Sequence, residues 1–429
     1  MKPNYLLKSD NAIRLYKEAA EQLPIIDFHN HISVMDIADD KMFENLYQLW
    51  LEPDPYKHRL MRICGVNEEF ITGNATPYEK FEKFCTIFPY IVGNPVYDWS
   101  RMELSTIFGI DDIPCKENAK QIWDEANEKL KSSEFSAKGI LKRFNVEYQS
   151  PVASITDELS FFDGDRLSPS LRGDNLLNPN KELLEELKEK TGKAVSNTED
   201  YIAAVSVLLD SFHNKGCRVA DHSLDSDFFD SDNNNEKQKI LTLLANEYAN
   251  RGWMLLLHVG AHRKTSTRLA NIAGPAGGYA AVGQGFPLSK LCALLDNIEL
   301  SGALPRTVVF PLNMSDQPAI SVMQGSFSES GVASKVQLGP AWWWCDHALG
   351  IKNTLSCISS FGVFSEFVGM TTDSRSILSF VRHDYFRRIL ASWIDEQNTV
   401  NQWDLPFETQ KEILTKICYQ NAKNIFKSI

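Results

Sequence analysis

At 429 residues the chain has room for about two or three domains, or for one large barrel. Its 44 Lys+Arg against 56 Asp+Glu leave a formal net charge of −12, which speaks against nucleic acid or an anionic membrane surface as a partner. Hydrophobic content of 43% with 23% charged residues is ordinary for a core-forming globular protein and excludes disorder as a global description.

The opening residues, Met1 to Asp10, contain no apolar stretch long enough for a signal-peptide core. The most apolar segments, such as Trp253–Ala261, fall far short of the ~20 residues of a membrane-spanning helix. Eight cysteines (64, 85, 115, 217, 292, 345, 357 and 418) are scattered without CxxC spacing, so neither a zinc ribbon nor a disulfide scaffold is expected. The expected location is the cytoplasm.

In chain order, a first strand is expected at Pro24–Phe28, followed by a long run of helical patterns: Lys41–Trp50, Tyr56–Cys64, Pro77–Phe88, Arg101–Phe108 and Glu117–Lys131. Thr76-Pro77-Tyr78-Glu79 reads as a helix start, with a Thr cap, Pro at the first helical position and an early Glu. Strands are then expected at Val146–Ile155, Ser168–Leu171, Cys217–Ala220, Met254–Gly260, Thr307–Leu312, Lys335–Leu338 and Glu366–Met370. Helices at Thr198–Lys215, Glu236–Asn250, Leu288–Leu300, Gln317–Gln324, His347–Phe361 and Ser376–Ile394 alternate with the later ones. Such alternation implies parallel pairing, and about eight strands suggest a distorted (β/α)₈ TIM-type barrel over an open sheet. The expected organisation is a first strand and N-terminal helix (1–34), a helical insertion after that strand (35–145), the rest of the barrel (146–400) and a C-terminal helical cap (401–429). The Asp/Asn/Ser tract at 225–236 reads as a solvated loop. An acidic barrel with many exposed helices is also expected to self-associate as a homo-oligomer.

In such a barrel the site lies at the C-terminal strand ends, so the residues just after each apolar run carry the information. The first run ends Ile26-Asp27-Phe28-His29-Asn30-His31; residues two apart point the same way, so His29 and His31 can share one metal ion. Other ends carry Thr156-Asp157, Arg172, Asp221-His222, His258, His262-Arg263, Asn313, Trp342-Trp343-Trp344 and Asp373-Ser374-Arg375. Singly each has a plain explanation: Asp373 as a helix cap, Arg172 as a surface ion pair, His258 as a satisfied core histidine, the tryptophans as packing. Together they are hard to attribute to packing.

Two neutral imidazoles and a carboxylate, His29, His31 and Asp373, make a set suited to Zn²⁺ or another divalent ion with open positions, and barrel closure would bring the first and last strands together. No Lys follows the fourth strand and no His ends the sixth, so one metal ion is expected. Arg172, Arg263 and Arg375, clustered at a barrel mouth in an acidic chain, suggest bidentate recognition of a small carboxylate or phosphate. No GxGxxG or Walker-type loop is present, and Gly274-Pro275-Ala276-Gly277-Gly278 reads as a mobile loop. Ser374 has no nucleophile-elbow context.

At these residues the chain resembles the uronate isomerase (glucuronate isomerase) family of the amidohydrolase superfamily. The matching segments are Asp27–His31, Gly93–Tyr97, Gly216–His222, His258–Arg263, Trp342-Trp343 with Asp346, Gly369–Ser376 and Arg382–Arg388, in family order. The Thr-Asp-Ser-Arg-Ser and Tyr-Phe-Arg-Arg combination is specific to that family. The resemblance implies a distorted barrel with a helical insertion, and interconversion of D-glucuronate with D-fructuronate and of D-galacturonate with D-tagaturonate. On matching positions it implies His29, His31 and Asp373 as metal ligands, and Arg172, Asp221, His258, Arg263, Trp342 and Arg375 around a hexuronate. Where the family reads Asp-His-Tyr-Lys, this chain has Asp54-Pro55-Tyr56-Lys57, keeping Tyr56 but placing Pro55 at the position of a functional histidine; His58, three positions on, is a partial substitute.

An aldose–ketose conversion through an enediol(ate) needs a base near C2, a proton donor at the carbonyl oxygen and stabilisation of negative oxygen charge. Asp373 or Tyr56 is the candidate proton carrier, and His258 joins them as a candidate catalytic group. The competing readings are a mononuclear metal-dependent hydrolase of a small carboxylated substrate, against which the three arginines weigh, and a non-catalytic sugar-acid-binding barrel.

Overall fold

The computed structural model describes residues 2–230 and 234–426. Its strands in chain order are β1 (Ile25–Asn30), β2 (Val146–Ala153), β3 (Ser170–Arg172), β4 (Val219–Leu224), β5 (Met254–Val259), β6 (Ala261–His262), β7 (Ala281–Val282), β8 (Arg306–Pro311) and β9 (Val336–Leu338). Seven of them form one sheet, ordered β1-β2-β3-β4-β5-β8-β9, and every neighbouring pair is parallel. β6 and β7 make a short antiparallel pair apart from it. The crossovers are helical, including Thr198–Asn214, Asn234–Asn250 and Leu288–Ser301, as parallel pairing requires. All six residues of β5 are buried, as expected for a strand covered on both faces.

The register is regular in the middle of the sheet, where Val219–Leu224 pairs residue for residue with Met254–Val259, and that run with Arg306–Pro311. β4 begins two residues later than its apolar run suggested and extends to Leu224, which places Asp221 inside the strand.

The eighth strand expected at Glu366–Met370 does not form. Phe364–Glu366 is a 3₁₀ turn, and the segment 367–374 that follows is extended but carries no ladder. A positive φ inside the expected run Glu366–Met370 interrupts it, and a second lies just beyond. Gly369 has φ 88°, with the Ile417 carbonyl so close that a Cβ would lie 2.2 Å from it, and Asp373 has φ 46°. The segment nevertheless touches both edges of the sheet. Val368 N–H donates to Gln337 Oε1 of β9, and His31 N–H of the β1 end donates to Ser374 O. The observed sheet is therefore a seven-stranded parallel one whose two edges flank a single irregular segment.

Seven α-helices lie between β1 and β2, from Val34–Ala38 to Ala137–Arg143. Three begin with the same device, a side-chain cap followed by proline at the first turn: Asp54-Pro55, Thr76-Pro77 and Asn94-Pro95. At Thr76 the reciprocal bond from Glu79 completes a capping box. Apolar side chains of these helices, among them Trp50, Phe81 and Phe84, join one continuous core with the strands. At the other end of the chain, Phe426 stacks on Phe28 of β1 at 5.0 Å. Helix Lys181–Thr191, capped by Asn180, was not anticipated; its leucines at 183, 184 and 187 carry the helical spacing. Among the described residues no helix is long and apolar enough to cross a membrane.

Candidate active site

His29 stands near the end of β1 and His31 just beyond it, and both meet the carboxylate of Asp373. His31 Nε2 lies 3.1 Å and His29 Nε2 3.5 Å from the same oxygen, Asp373 Oδ1. Asp221, from β4, approaches His29 Nε2 at 3.8 Å and accepts a 2.5 Å hydrogen bond from His258 Nδ1, which comes from β5. Two sets of donor atoms thus converge, His29–His31–Asp373 and His29–Asp221–His258, sharing His29 and so describing a single centre.

The donor set fits a divalent cation. Nε2 of His29 and of His258 are buried without a hydrogen-bond partner among the described residues, an expensive state unless something else occupies their lone pairs. Ser170 Oγ, 3.0 Å from His29 Nδ1, holds the other ring nitrogen and leaves Nε2 facing the centre. Asp221 and Asp373 have only histidines as ion-pair partners, with no arginine or lysine to balance them among the described residues.

Electrostatics separates these groups. Burial opposes ionisation of Asp373, but the close approach and charge of His29 and His31 outweigh it and hold the carboxyl well below the usual range. Asp221 follows the same logic, with burial overcome by His258 and His29. Burial also works against the His29 cation, yet Asp221, Asp373 and Asp27 together raise its pKa, whereas at His31 burial prevails and lowers it. Tyr56 goes the other way: burial pushes its phenol far up, against a partial pull from Arg382.

These side chains open into a cavity of about 430 Å³, within the ~300–1,000 Å³ usual for small-molecule sites. Every residue selected from the sequence as a catalytic, substrate-binding or metal candidate lines it: His29, His31, Tyr56, Arg172 and Asp221 on one part of the wall, His258, Arg263, Trp342, Asp373 and Arg375 on the rest. The arginines differ in their partners. Arg263 donates to Asp225 Oδ1 at 3.0 Å and to Ser223 Oγ at 2.9 Å, with Trp343 beneath its guanidinium. Arg172 lies 3.5 Å from Asp174, while Arg375 has no ion-pair partner among the described residues. Asp373 is not a helix cap; Ser374 and Ser376 accept the backbone N–H groups of the next turn.

Several strand-end residues stay outside the cavity. His222 is a core histidine, its Nε2 paired with Tyr248 OH at 3.0 Å and its ring closed off by Gly173. Asp157 accepts from Ser154 N–H, and Asn313 caps a 3₁₀ turn. Asp174, Ser223, Asp225, Trp343 and Trp344 line the cavity beyond the expected set. Ser223 and Asp225 continue the period-two face of Asp221, a signal the sequence contained. The Gly-rich loop reaches the mouth through Pro275, Ala276, Gly278 and Ala280. It is tied to helix Pro55–Ile63, since Arg59 donates to Gly278 O at 2.9 Å and Arg62 to Gly277 O at 2.5 Å.

Pro55 caps no gap in the helix, for Asp54 accepts from Tyr56 N–H at 2.9 Å. His58 does not line the cavity and so does not stand in for the missing histidine. It is buried, and burial pushes its imidazole from 6.5 down to about 4. The fold thus favours the neutral ring, and the stability this contributes above pH 6.5 is lost as the pH falls through 4. At about 1.36 kcal/mol per pH unit the loss is about 3 kcal/mol. A His58→Leu chain is expected to lack that part of the acid destabilisation, as measured by urea unfolding at pH 7 and pH 4.5. Parallel losses in the two chains would show that His58 is not the titrating group.

Comparison with known proteins adds an independent finding. A family model described as glucuronate isomerase matches residues 1–243 and 229–426. A uronate isomerase of Caldanaerobacter subterraneus subsp. tengcongensis is 36% identical over 99% of this chain and 98% of its own length. One from Clostridium perfringens is 33% identical over 100% and 99%. Among solved structures, the uronate isomerase of Thermotoga maritima superposes with a TM-score of 0.90 at 27% identity, covering 99% of this chain and 98% of that one.

Proposed function

The chain belongs to the glucuronate isomerase family, and from that premise we propose that it interconverts D-glucuronate with D-fructuronate, and D-galacturonate with D-tagaturonate, in hexuronate catabolism. The observation that carries this reading is the meeting of a His–His–Asp centre and three arginines in one cavity. A hexuronate has a carboxylate at one end and a reacting carbonyl at the other, and the cavity has a matching group for each.

His29, His31 and Asp373 would hold one divalent metal ion, zinc in our reading. When bound, it supplies Lewis acidity that stabilises negative charge on a substrate oxygen. Arg375, without an ion-pair partner among the described residues, takes the substrate carboxylate, with Arg172 and Arg263 beside it. Trp342 packs against the ring of His258 at 4.6 Å and walls off water on that side. Asp373, kept ionised, removes the proton at C2 and returns it at C1. Tyr56, kept protonated, donates to the carbonyl oxygen at C1 and is reprotonated by the proton that leaves the C2 hydroxyl as the ketone forms. Two groups whose surroundings push their pKa values apart supply the base and the acid. His258, anchored by Asp221 through Nδ1, presents the Nε2 lone pair to the C2 hydroxyl and relays its proton toward Tyr56.

The segment 367–374 takes the place of an eighth strand in this reading and closes the sheet into a barrel, with residues 35–145 inserted after β1 and the C-terminal region 401–429, of which 427–429 lie outside the described residues, as its cap. The free state of all eight cysteines supports a cytoplasmic setting.

Proton NMR of the metal-supplemented protein with D-glucuronate, and separately with D-galacturonate, in D₂O tests the proposal. Ketose formation, with deuterium appearing at the transferred position, is the expected result. Sugar binding with no exchange at C2 would favour a binding barrel, and cleavage of an amide, ester or lactone instead would favour the hydrolase.

A further inference from the structure

Asp27 has no task in the reaction as derived above, yet its surroundings are among the most specific in the molecule. It sits on β1 two residues before His29 and is fully buried. Its Oδ1 accepts from the Thr372 backbone N–H at 2.7 Å, the Thr371 hydroxyl at 2.9 Å and His383 Nε2 at 3.1 Å. Its Oδ2 accepts from Asn30 Nδ2 at 2.8 Å and the Thr372 hydroxyl at 2.9 Å. The donors come from three places: β1 itself, the irregular segment 367–374, and helix Val381–Val400.

Their placement matters because no strand ladder joins β1 to that segment. Backbone bonds across the seam run from His31 N–H to Ser374 O at 2.8 Å and from Asp373 N–H to His29 O at 3.2 Å. The Thr371 hydroxyl adds a link, accepting from His29 N–H at 2.9 Å while bound to Asp27. Asp27 thus ties the segment that carries Asp373 to the strand that carries His29.

Charge points the same way. Asp27, Asp221 and Asp373 are three carboxylates, buried or nearly so, around His29, and their ion-pair partners among the described residues are all histidines. A buried carboxylate with no permanent cation beside it is costly to keep ionised, and a divalent ion at the centre would offset that cost.

We infer that Asp27 is a positioning residue for the metal centre: it sets Asp373 against His29 and His31, and its negative charge behind His29 strengthens cation binding. This rests on the reading of those three residues as metal ligands.

The test measures zinc affinity rather than turnover. The full-length protein, stripped of metal, is titrated with Zn²⁺ in competition with a chromophoric chelator, with melting temperature and circular dichroism followed in parallel. Asp27→Asn is expected to bind zinc about 10-fold more weakly, the low end of the ~10–100-fold lost with a group hydrogen-bonded to a ligand itself, because Asp27 acts on Asp373 through Thr371 and Thr372. His383→Asn, which removes one donor and leaves the carboxylate, is expected to fall between that variant and the wild type. Wild-type affinity in a folded Asp27→Asn chain overturns the inference, and so does a lowered melting temperature with unchanged affinity. Should Asp27→Asn not fold, His383→Asn is judged by the same two outcomes. Asp373→Asn in the same titration separates the two levels. Zinc held as tightly there as in the wild type, or not held by the wild type at all, removes the metal-centre reading itself. Loss in Asp373→Asn with wild-type affinity in Asp27→Asn removes only the role of Asp27.

Discussion

Replacement of Asp373 by Asn is expected to lower turnover by about 10⁴-fold or more while the protein remains folded, since general acid–base catalysis alone contributes ~10²–10⁴ and a metal ligand is lost with it. The backbone at 373 has φ 46°, a left-handed conformation that Asn adopts as readily as Asp, so the substitution adds no backbone strain. The amide is also nearly the same size as the carboxylate. What changes is chemical: Asp373 Oδ1, 3.1 Å and 3.5 Å from two imidazole nitrogens, loses its negative charge, and the residue can no longer accept the C2 proton. Ketose formation by NMR, bound metal by elemental analysis and far-ultraviolet circular dichroism check the three parts separately. Turnover like that of the wild type in a folded Asp373→Asn chain would refute the role given to this residue.

Replacement of Tyr56 by Phe is expected to reduce kcat by about 10²–10⁴-fold and to leave KM nearly unchanged. The ring itself is held on several sides, by Trp344 at 5.3 Å, Trp99 at 6.0 Å and the Arg382 guanidinium at 5.1 Å, so Phe keeps the packing and only the hydroxyl goes. Its backbone is fixed as well, through the Asp54 cap at the start of helix Pro55–Ile63. Burial holds the phenol protonated well above the ordinary tyrosine range. The donor therefore stays neutral and keeps its proton up to high pH, and wild-type activity should show no alkaline fall near pH ~10 that Tyr56→Phe removes. A kcat within about twofold of the wild type would assign both proton tasks to Asp373.

The divergence at Pro55 is accommodated structurally. Proline suits the first turn of a capped helix, and the Pro55 carbonyl lies so near the Gly-rich loop that a Cβ at Gly278, where φ is 82°, would come within 2.3 Å of it. The loop read from the sequence as mobile is thus seated against this helix and bonded to it by Arg59 and Arg62.

Local features were determined by residue type and spacing alone. The alternation of short apolar runs with helical patterns predicts parallel pairing, the cap-Pro pairs mark helix starts, and the two-residue spacing of His29 and His31 places both on one side of β1. Each of these depends on a few neighbouring residues and needs no knowledge of the rest of the chain. Other features were decided only by the tertiary structure. Asp221 faces the cavity and His222, its neighbour, faces Tyr248, because strand alternation assigns opposite faces but only packing says which face is the site. Arg375 has no ion-pair partner among the described residues while Arg263 is paired with Asp225, and His58 is buried away from the cavity it was expected to serve. The eighth segment is irregular because Gly369 meets a carbonyl from the C-terminal helices, close to fifty residues further on. Asp27 meets Thr371, Thr372 and His383 although |i−j| is 344 to 356 residues. Contacts at such separations arise from how whole elements pack, and no local propensity encodes which polar atoms will face one another once the sheet has curled.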